Sequence, residues 1–243
     1  FADCGLVILA AGTNQRPGET REALLGRNRA ILQSILEQLT AVNRDAVLLV
    51  VSNPVDVLTG YTLELSGFPA ERVIGSGTVL DTARIKCLLG EKLGVDSRNV
   101  HAFMLGEHGD SEVAVWSSAN ISGADLDDFC LAAGIDDPES MLASLAREVT
   151  HAAYDIIERK GATCYGIAMA VRRIAEAIIR DEHAVLPVST LARGAYGIEG
   201  VCLGLPAVVG RSGVSQVLDL PLSRDETERL LASAHKLKTL MEG

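Results

Sequence analysis

The sequence predicts an α/β fold in which a doubly wound, parallel sheet is followed by an α+β region. Two apolar runs, residues 5–12 and 46–54, have the length and composition of strands buried on both faces. The first run ends at a glycine and the second at Asn53-Pro54, and a helical pattern lies between them. Strand, helix and strand in this order form a βαβ unit, which places both strands in one parallel sheet.

The first third of the chain continues this alternation. After the strand at 5–12, apolar and buried-type residues recur at helical spacing to about Val42: Leu25, Asn28, Leu32, Ile35, Leu36 and Leu39. The strand at 46–54 is followed by a helix over about 55–66, a short strand with a glycine turn at 72–78, and a helix that carries 80–94.

Beyond Asn99 the pattern changes to imperfect alternation, which predicts antiparallel strands at 100–109 and 112–123. Two long helices are expected near 145–160 and 165–180, and then a meander with a glycine-rich turn at 210–213. Ser223 and Glu226 have the spacing of a capping box, so a final helix should begin there with Leu230, Ala234, Leu237 and Met241 on one face.

Composition excludes several classes of partner. The 243 residues include 22 Lys and Arg against 32 Asp and Glu, and a net charge of −10 argues against nucleic acid or an anionic membrane surface. No stretch approaches the roughly 20 apolar residues of a membrane span, and we expect no charged-then-apolar leader. Five scattered cysteines without a CxxC pair indicate reduced thiols, so we expect a cytoplasmic location.

One histidine stands out by its surroundings. His108 lies in the segment GEHGDSE, residues 106–112, beside two glycines and three acids. Such a histidine can transfer protons near neutral pH, bind a metal, or be a polar residue satisfied in a turn. The segment alone leaves these three roles open.

Six segments appear in the order found in NAD-dependent L-2-hydroxyacid dehydrogenases, and the chain resembles the lactate/malate dehydrogenase superfamily over essentially its whole length. They read GTNQRPGETR, SNPVD, GSGTVLDTAR, NVHAFMLGEHGDSE, KGATCYGI and LPVST, and a late GRSGV hairpin follows them. Each segment is modest support by itself, whereas six in order are specific.

The resemblance implies the residues that perform the chemistry. Reduction of a 2-oxo acid needs a proton donor, which would be His108, and an acid that orients it, which would be Asp81 rather than the neighbouring Asp110. Arg84 would bind the substrate carboxylate through its planar guanidinium, and Arg21 would polarise the carbonyl when its loop closes. Without the resemblance, Asp81 reads as a carboxylate at a helix N-terminus, Arg84 as a surface ion pair and Arg21 as a solvated loop residue.

Gln15 carries the substrate preference that the resemblance implies. Lactate dehydrogenases have glutamine at this place and malate dehydrogenases have arginine, so pyruvate should be preferred over oxaloacetate. Thr163 resembles a threonine of the substrate pocket, and Ile167 an apolar wall against the nicotinamide. Both also fit plain helix packing.

NAD is the cofactor that the resemblance implies. Asn53 follows a buried strand, at the sheet edge where α/β folds bind ligands, and matches an asparagine that contacts nicotinamide and substrate. The other residues expected at the cofactor are Gly12, Thr13, Ser34, Val51, Ser52 and Ser76.

The sequence departs from the family pattern at its start. The family's first βαβ unit carries G-x-G-x-x-G and an acidic residue for the ribose, and neither occurs here. We therefore expect the C-terminal part of a Rossmann-type sheet, with roughly 60 to 90 residues absent because each βαβ unit needs upwards of 30. Residues 1–76 would be the remaining dinucleotide-binding domain and 77–243 the α+β substrate domain.

Partners and alternatives complete the expectations. His101 matches a histidine that binds fructose 1,6-bisphosphate in many bacterial lactate dehydrogenases, but Lys86 replaces the arginine beside it. The resemblance implies a homotetramer or dimer and no metal. The alternatives are a malate or other L-2-hydroxyacid dehydrogenase, a non-catalytic remnant without its cofactor half, and a metal hydrolase, which the lack of HExxH spacing disfavours.

Overall fold

A computed structural model describes residues 2–13, 21–160 and 164–242, without the side chains of 21–23, 155, 157, 159, 160 and 242. The strands are β1 (Leu6–Leu9), β2 (Val47–Val50), β3 (Val73–Gly75), β4 (Val100–Leu105), β5 (Val113–Ile121), β6 (Ala124–Asp125), β7 (Ala184–Arg193), β8 (Glu199–Gly210) and β9 (Gly213–Val217). The helices are α1 (Arg21–Thr40), α2 (Val55–Ser66), α3 (Val79–Leu93), α4 (Leu126–Ala132), α5 (Pro138–Lys160), α6 (Tyr165–Ile179) and α7 (Arg224–Glu242).

The main sheet has the strand order β1-β2-β3-β7-β8-β9. Its first three strands are parallel, as the βαβ pattern predicts, whereas β7, β8 and β9 form the expected antiparallel meander. The meander joins the parallel strands through one antiparallel pairing, Gly75 with Ser189. The sheet is therefore mixed and continuous across the two predicted domains, whose boundary near residue 76 stays a prediction.

Helices pack on both faces of this sheet. One apolar core holds α1, α2 and α7, with Leu32, Leu58 and Leu237 buried almost completely. The other face is covered by α6, whose Ile174 and Ala177 pack against β2 and β8. Burial of large aliphatic side chains at about 25 cal/mol per Å² is the main stabilising contribution to such cores.

A smaller sheet, β4-β5-β6, lies apart from the main one in its pairing and has a core of its own. It packs against α3, α4 and α5 through residues such as Ile85, Met104 and Leu145. Helix α3 therefore has contacts in both halves, because it follows β3 of the main sheet and packs on β4 of the small one. This position brings its first turn close to the segment that follows β4.

Three expectations about these elements are wrong in detail. β1 is not buried on both faces, since Ile8 is 45% exposed at the edge of the sheet. Helix α4 was not expected, and α5 begins at Pro138 rather than near 145. Both starts had readable signals: the Asp125 carboxylate accepts the N–H groups of residues 127 and 128, and Asp137 accepts that of Ser140 just before a proline in the first helical position.

The start of α7 confirms the capping box. Ser223 Oγ accepts the N–H of Glu226 at 3.2 Å, and the Glu226 carboxylate accepts the N–H of Ser223 at 2.8 Å. Leu230, Ala234 and Leu237 are buried along one face, as the spacing predicts. Among the helices that are described, none combines the length and apolar character that crossing a membrane requires.

Candidate active site

A cavity of about 380 Å³ opens where β1 and β2 end, and it collects most of the predicted site residues. Its lining comprises Ala10, Gly12, Thr13, Val51, Ser52, Asn53, Ser76, Leu80, Arg84, His108, Ala153 and Ile167. A second cavity of about 310 Å³ shares Thr13, Asn53 and His108 with it, so these three residues lie between the two spaces. The carboxyl ends of parallel strands meet at one edge of a sheet, and the residues that follow them line a common crevice, which is where α/β folds bind ligands.

The ends of β1 and β2 are fixed to each other and to α1. Ser52 Oγ donates to the carbonyl of Ala11 at 2.7 Å, and the N–H of Thr13 donates to Asn28 Oδ1 at 2.8 Å. A Cβ on Gly12 would lie only 3.3 Å from the Ser52 Cβ. The backbone at residue 12 therefore runs close to Ser52, and a glycine leaves room for this approach. The narrow, polar edge suits a cofactor held by backbone groups and small side chains.

His108 meets Asp81 in this cavity. The imidazole Nδ1 lies 2.7 Å from Asp81 Oδ2, and Arg84 Nη1 lies 3.3 Å from the other carboxylate oxygen. Because a carboxylate can only accept, Nδ1 carries the hydrogen and Nε2 is left to exchange a proton with a ligand. Asp110, the nearer acid in sequence, instead accepts a hydrogen bond from Tyr154 at 2.8 Å.

Helix α3 explains this arrangement. Asp81 lies in its first turn and Arg84 three residues later, so the two side chains share one face. Asp81 is only 3% exposed, and its two oxygens are engaged by two different partners. Such an acid holds the ring in one tautomer and stabilises its charged form.

The backbone of the histidine segment, residues 106–112, is fixed from two other elements. Gly106 exchanges both backbone hydrogen bonds with Gly204 of β8, at 2.9 and 2.8 Å. Its φ of 92° and a Cβ position 2.7 Å from Ser233 Oγ both require glycine. From α7, Ser233 accepts the N–H of Glu107 at 2.8 Å, and Lys236 contacts the Glu107 carboxylate at 2.6 Å.

A second aspartate, Asp56, binds the same histidine through its backbone. Asp56, in the first turn of α2, accepts the backbone N–H of His108 through Oδ2 at 2.8 Å. Its Oδ1 is buried and has no hydrogen-bond partner among the described residues. Burial raises the pKa of Asp56 to about 6, although the Ser189 hydroxyl and the His108 N–H act to lower it.

The charges around the imidazole favour its protonated form. Burial lowers the pKa of His108, but the hydrogen bond and charge of Asp81, with smaller contributions from Asp56 and Glu112, overcome this and raise it to about 9. Burial also raises the pKa of Glu112, and the charge of Asp81 adds to the effect. At neutral pH the site therefore holds a proton on His108, ready for donation.

Asp81, His108 and Glu112 offer ligand atoms within 4.8 Å of one another, a set that can hold a cation. Two features count against this use: Nδ1 of His108 is engaged by Asp81, and the Arg84 guanidinium brings positive charge to the same carboxylate. The expectation that the site holds no metal stays a prediction.

Some predicted residues lie elsewhere or outside the described residues. Gln15, Thr163 and the side chain of Arg21 lie outside them; the backbone of Arg21 begins α1. Ser34 is exposed on α1 and does not line the cavity, so the structure does not bring it to the other predicted cofactor residues.

Sequence reasoning missed four contributors: Asn28, Asp56, Glu112 and Lys236. Asn28 carried a signal, because a polar residue in an apolar helical stripe needs a partner when it is buried. Asp56 reads as an ordinary acid in a helical first turn, and Lys236 as a solvated residue of α7. Their partners are 52 and 129 residues away in sequence, so only the folded chain reveals them.

The predicted effector residues also share a cavity. Lys86 and His101 line a space of about 350 Å³ together with Arg173 of α6. Burial lowers the pKa of Lys86. The cavity lies between α3, β4, α6 and β7 and does not include His108.

The chain matches two protein-family models that together span nearly all of it. Residues 1–75 match the NAD-binding domain of lactate/malate dehydrogenase, and residues 78–243 match the alpha/beta C-terminal domain of the same family. These models contain the two sides of the cavity, with Asn53 in the first and His108 in the second.

Individual relatives agree with this division. An L-lactate dehydrogenase of Clostridium perfringens is 50% identical over 236 residues, which cover 97% of this chain and 74% of that protein. An L-lactate dehydrogenase of Streptococcus gordonii is 52% identical over 241 residues, covering 99% and 73%. The expected family resemblance is thereby confirmed at the level of sequence.

Solved structures give the same result for the fold. The ligands-bound crystal structure of a minor L-lactate dehydrogenase from Enterococcus mundtii matches with a TM-score of 0.94 and 43% identity, over 99% of this chain and 76% of that one. MGS-M5, a lactate dehydrogenase enzyme from a Medee basin deep-sea metagenome library, matches with a TM-score of 0.95 and 43% sequence identity. The match covers 99% of this chain and 77% of that one.

Proposed function

Since the chain belongs to the lactate/malate dehydrogenase family, we propose that it interconverts pyruvate and L-lactate with NAD as its cofactor. In the reducing direction, pyruvate, NADH and one proton give L-lactate and NAD⁺. The observation that carries the proposal is the 2.7 Å contact of His108 with Asp81, beside Arg84 and the cavity that Asn53 lines. The names of the L-lactate dehydrogenase relatives support the same reaction.

His108 is the proton donor for reduction and the acceptor for oxidation. Its Nε2 gives a proton to the carbonyl oxygen of pyruvate, while Asp81 keeps Nδ1–H oriented and stabilises the charged ring that is present before the transfer. The raised pKa of His108 favours the charged form in the resting site, so the proton is available at neutral pH.

Arg84 binds the carboxylate of the substrate. One of its nitrogens contacts Asp81, and the planar guanidinium has further N–H groups that suit a two-pronged grip. The residue also lines the cavity that contains His108, so carboxylate and carbonyl can be held together. Arg21 is proposed to polarise the carbonyl of the bound substrate.

The cavity fits the nicotinamide end of the cofactor, which supplies the hydride when it is bound. Gly12, Thr13, Val51, Ser52 and Ser76 are the residues that would hold it, through close backbone and small polar side chains. Asn53 offers an amide to cofactor and substrate, and Ile167 an apolar wall that excludes water. NADH fluorescence during titration of the chain tests this binding directly; absence of binding would support a non-catalytic remnant instead.

Gln15 sets the preference for pyruvate in this proposal. A neutral amide leaves the second carboxylate of oxaloacetate without a partner, whereas an arginine would pair with it. The test is kcat/KM for pyruvate and oxaloacetate, in the wild type and in Gln15→Arg. We expect pyruvate to be preferred and the variant to shift the ratio toward oxaloacetate by about 10²-fold or more; a wild type that prefers oxaloacetate makes the chain a malate dehydrogenase.

A sugar bisphosphate effector and self-association are proposed with the function. Lys86, His101 and Arg173 supply cationic groups to one cavity, which suits phosphate. Tyr165, Met169 and Ile179 leave apolar surface exposed on α6, which supports a dimer or homotetramer. Activity titrated with fructose 1,6-bisphosphate, and mass measured by light scattering, test the two parts separately.

A cytoplasmic location is likewise proposed. The five cysteines are all free thiols in the structure, although two of them are buried. Free thiols persist where the compartment is reducing. Fractionation of the source cells, followed by immunodetection of the chain, tests the location.

A further inference from the structure

Asp56 is a buried charge that the proposed mechanism does not use. The residue is 2% exposed, and one of its carboxylate oxygens has no hydrogen-bond partner among the described residues. Burying a charged group with incomplete hydrogen bonding costs free energy, because the group loses its hydration without full replacement. A buried carboxylate that lowers stability at the edge of an active site is a candidate for a functional role.

The hydrogen bond of Asp56 to His108 indicates what this role is. Its Oδ2 accepts the backbone N–H of His108 at 2.8 Å, so the carboxylate holds the residue that carries the proton. Asp56 lies in the first turn of α2, three positions after Asn53, and α2 is largely buried against the main sheet. A rigid helix therefore connects the cofactor side of the cavity to the backbone of the histidine.

Charge acts together with this bond. The groups around the imidazole are Asp81 and Arg84 from α3, Glu112 from the histidine segment, and Asp56 from α2. The groups around Asp56 are His108 and Glu107 from the same segment, the Ser189 hydroxyl of β7 and the Cys202 thiol of β8. Lys236 pairs with Glu107, so no described cation contacts Asp56 directly.

We propose that Asp56 is a positioning residue for proton transfer, whose carboxylate fixes the His108 backbone and whose charge stabilises the protonated imidazole in addition to that of Asp81. The inference rests on the proposed function, and it adds a second carboxylate to the pair that orients the histidine. Asp81 acts on the ring itself, whereas Asp56 acts through the main chain and through its charge.

Two substitutions separate the bond from the charge. Asp56→Asn keeps an oxygen that can accept the His108 N–H but removes the negative charge. Asp56→Ala removes both. Glu226→Gln is the matched control, because Glu226 is also a buried carboxylate that accepts backbone N–H groups, from Trp116, Ser117 and Ser223.

The measurement is kcat/KM for pyruvate reduction between pH 6 and 10. In Asp56→Asn the alkaline fall in activity should move to lower pH by about half a unit to one unit, because the imidazolium loses a stabilising charge. Asp56→Ala should show the same movement and a further drop in kcat of roughly tenfold, because the His108 backbone loses the hydrogen bond that holds it to α2. Glu226→Gln should keep the wild-type profile even if it unfolds more easily.

A direct titration keeps this inference separate from the proposed function. The imidazole signals of His108 are followed by NMR in the wild type and in Asp56→Asn, and are identified by their loss in His108→Gln. The midpoint should be lower in Asp56→Asn whether or not the chain reduces pyruvate. Equal midpoints, or an unmoved alkaline limb in an active enzyme, overturn the role of Asp56; a wild type that does not reduce pyruvate overturns the function alone.

Discussion

The first turns of α2 and α3 each present a buried aspartate to the same histidine, and the two sites differ in what the carboxylate contacts. Asp81 binds the imidazole Nδ1 at 2.7 Å and is also paired with Arg84. Asp56 binds the backbone N–H of His108 at 2.8 Å and has an oxygen without a partner. Both residues are at most 3% exposed, so burial does not distinguish them.

The difference shows that the charged and hydrogen-bonding partners of a buried acid, rather than its degree of burial, determine its effect on the histidine. Asp81 has a charged partner on each oxygen, which repays the cost of removing its charge from water. Asp56 has only neutral groups to lower its pKa by hydrogen bonding, the Ser189 hydroxyl and the His108 N–H, so burial dominates and raises that pKa to about 6. The first acid can therefore set the tautomer and charge of the ring, whereas the second acts on position and on the field around it.

Removing the shared partner should have the largest effect. His108→Ala removes the imidazole that Asp81 contacts and leaves Asp56 only the backbone N–H of residue 108, and pyruvate reduction should fall by about 10³-fold or more because proton transfer is lost. NADH binding should be nearly unchanged, since most of the proposed cofactor contacts lie at the ends of β1 and β2. The measurements are kcat by NADH absorbance and Kd by NADH fluorescence; near-normal turnover would remove His108 from the mechanism.

The two aspartates should then rank in a fixed order. Asp81→Asn should lower kcat/KM by about 10²- to 10⁴-fold, because an amide neither fixes the tautomer nor stabilises the imidazolium. Asp56→Asn should cost less than about tenfold at neutral pH, since the amide oxygen can still accept the His108 N–H and the lost charge is not bonded to the ring. Steady-state kinetics of both variants, with Asp110→Asn as the neighbour that does not contact the ring, test the order. A larger loss for Asp56→Asn would reverse the comparison.

The partner of Asp81 gives a smaller and different effect. Arg84→Lys keeps the charge but loses the planar fork, so KM for pyruvate should rise roughly 10- to 100-fold with a lesser change in kcat. Arg98→Lys is the control, because Arg98 grips the Asp96 carboxylate through two nitrogens on the surface, as Arg84 is proposed to grip the substrate carboxylate. A kcat defect without a KM defect in Arg84→Lys would place the arginine in proton transfer rather than in carboxylate binding.

The two aspartates also show how far the sequence leads. Asp81 was predicted as the acid that orients His108, because it stands in a motif that resembles a known family, and the structure places it on the ring. Asp56 stands in the motif SNPVD as well, yet nothing in that pattern marks it, since a helical first turn favours acids for reasons of its own. Its bond to His108 is set by how α2 packs against the histidine segment, 52 residues away.

The main sheet teaches the same lesson at a larger scale. Alternating apolar runs predicted β1, β2 and the helix between them, because local periodicity carries that information. The pairing of Gly75 with Ser189, which adds the meander to the parallel strands, joins residues 114 positions apart and has no local signal. Exposure of Ile8 could not be predicted either, since it depends on which strand lies at the edge of the sheet.

The smallest expected effect is on stability, and its sign follows from the raised pKa of Asp56. The folded-state pKa of about 6 lies above the usual aspartate value of 3.8, so the folded state binds more protons than the unfolded state between these values. Stability should therefore fall as pH rises from about 4 to 6, by at most roughly 3 kcal/mol, and Asp56→Asn should lack this contribution. The wild type should thus lose free energy of unfolding relative to Asp56→Asn over this interval, and the difference should be constant above about pH 7.

Urea unfolding of both proteins from pH 4.5 to 8 measures this difference in free energy, with Glu226→Gln as the buried-acid control. A difference that runs the opposite way, with the wild type gaining on Asp56→Asn as pH rises, would show that the Asp56 carboxylate is paired in the folded state and that its contrast with Asp81 does not exist.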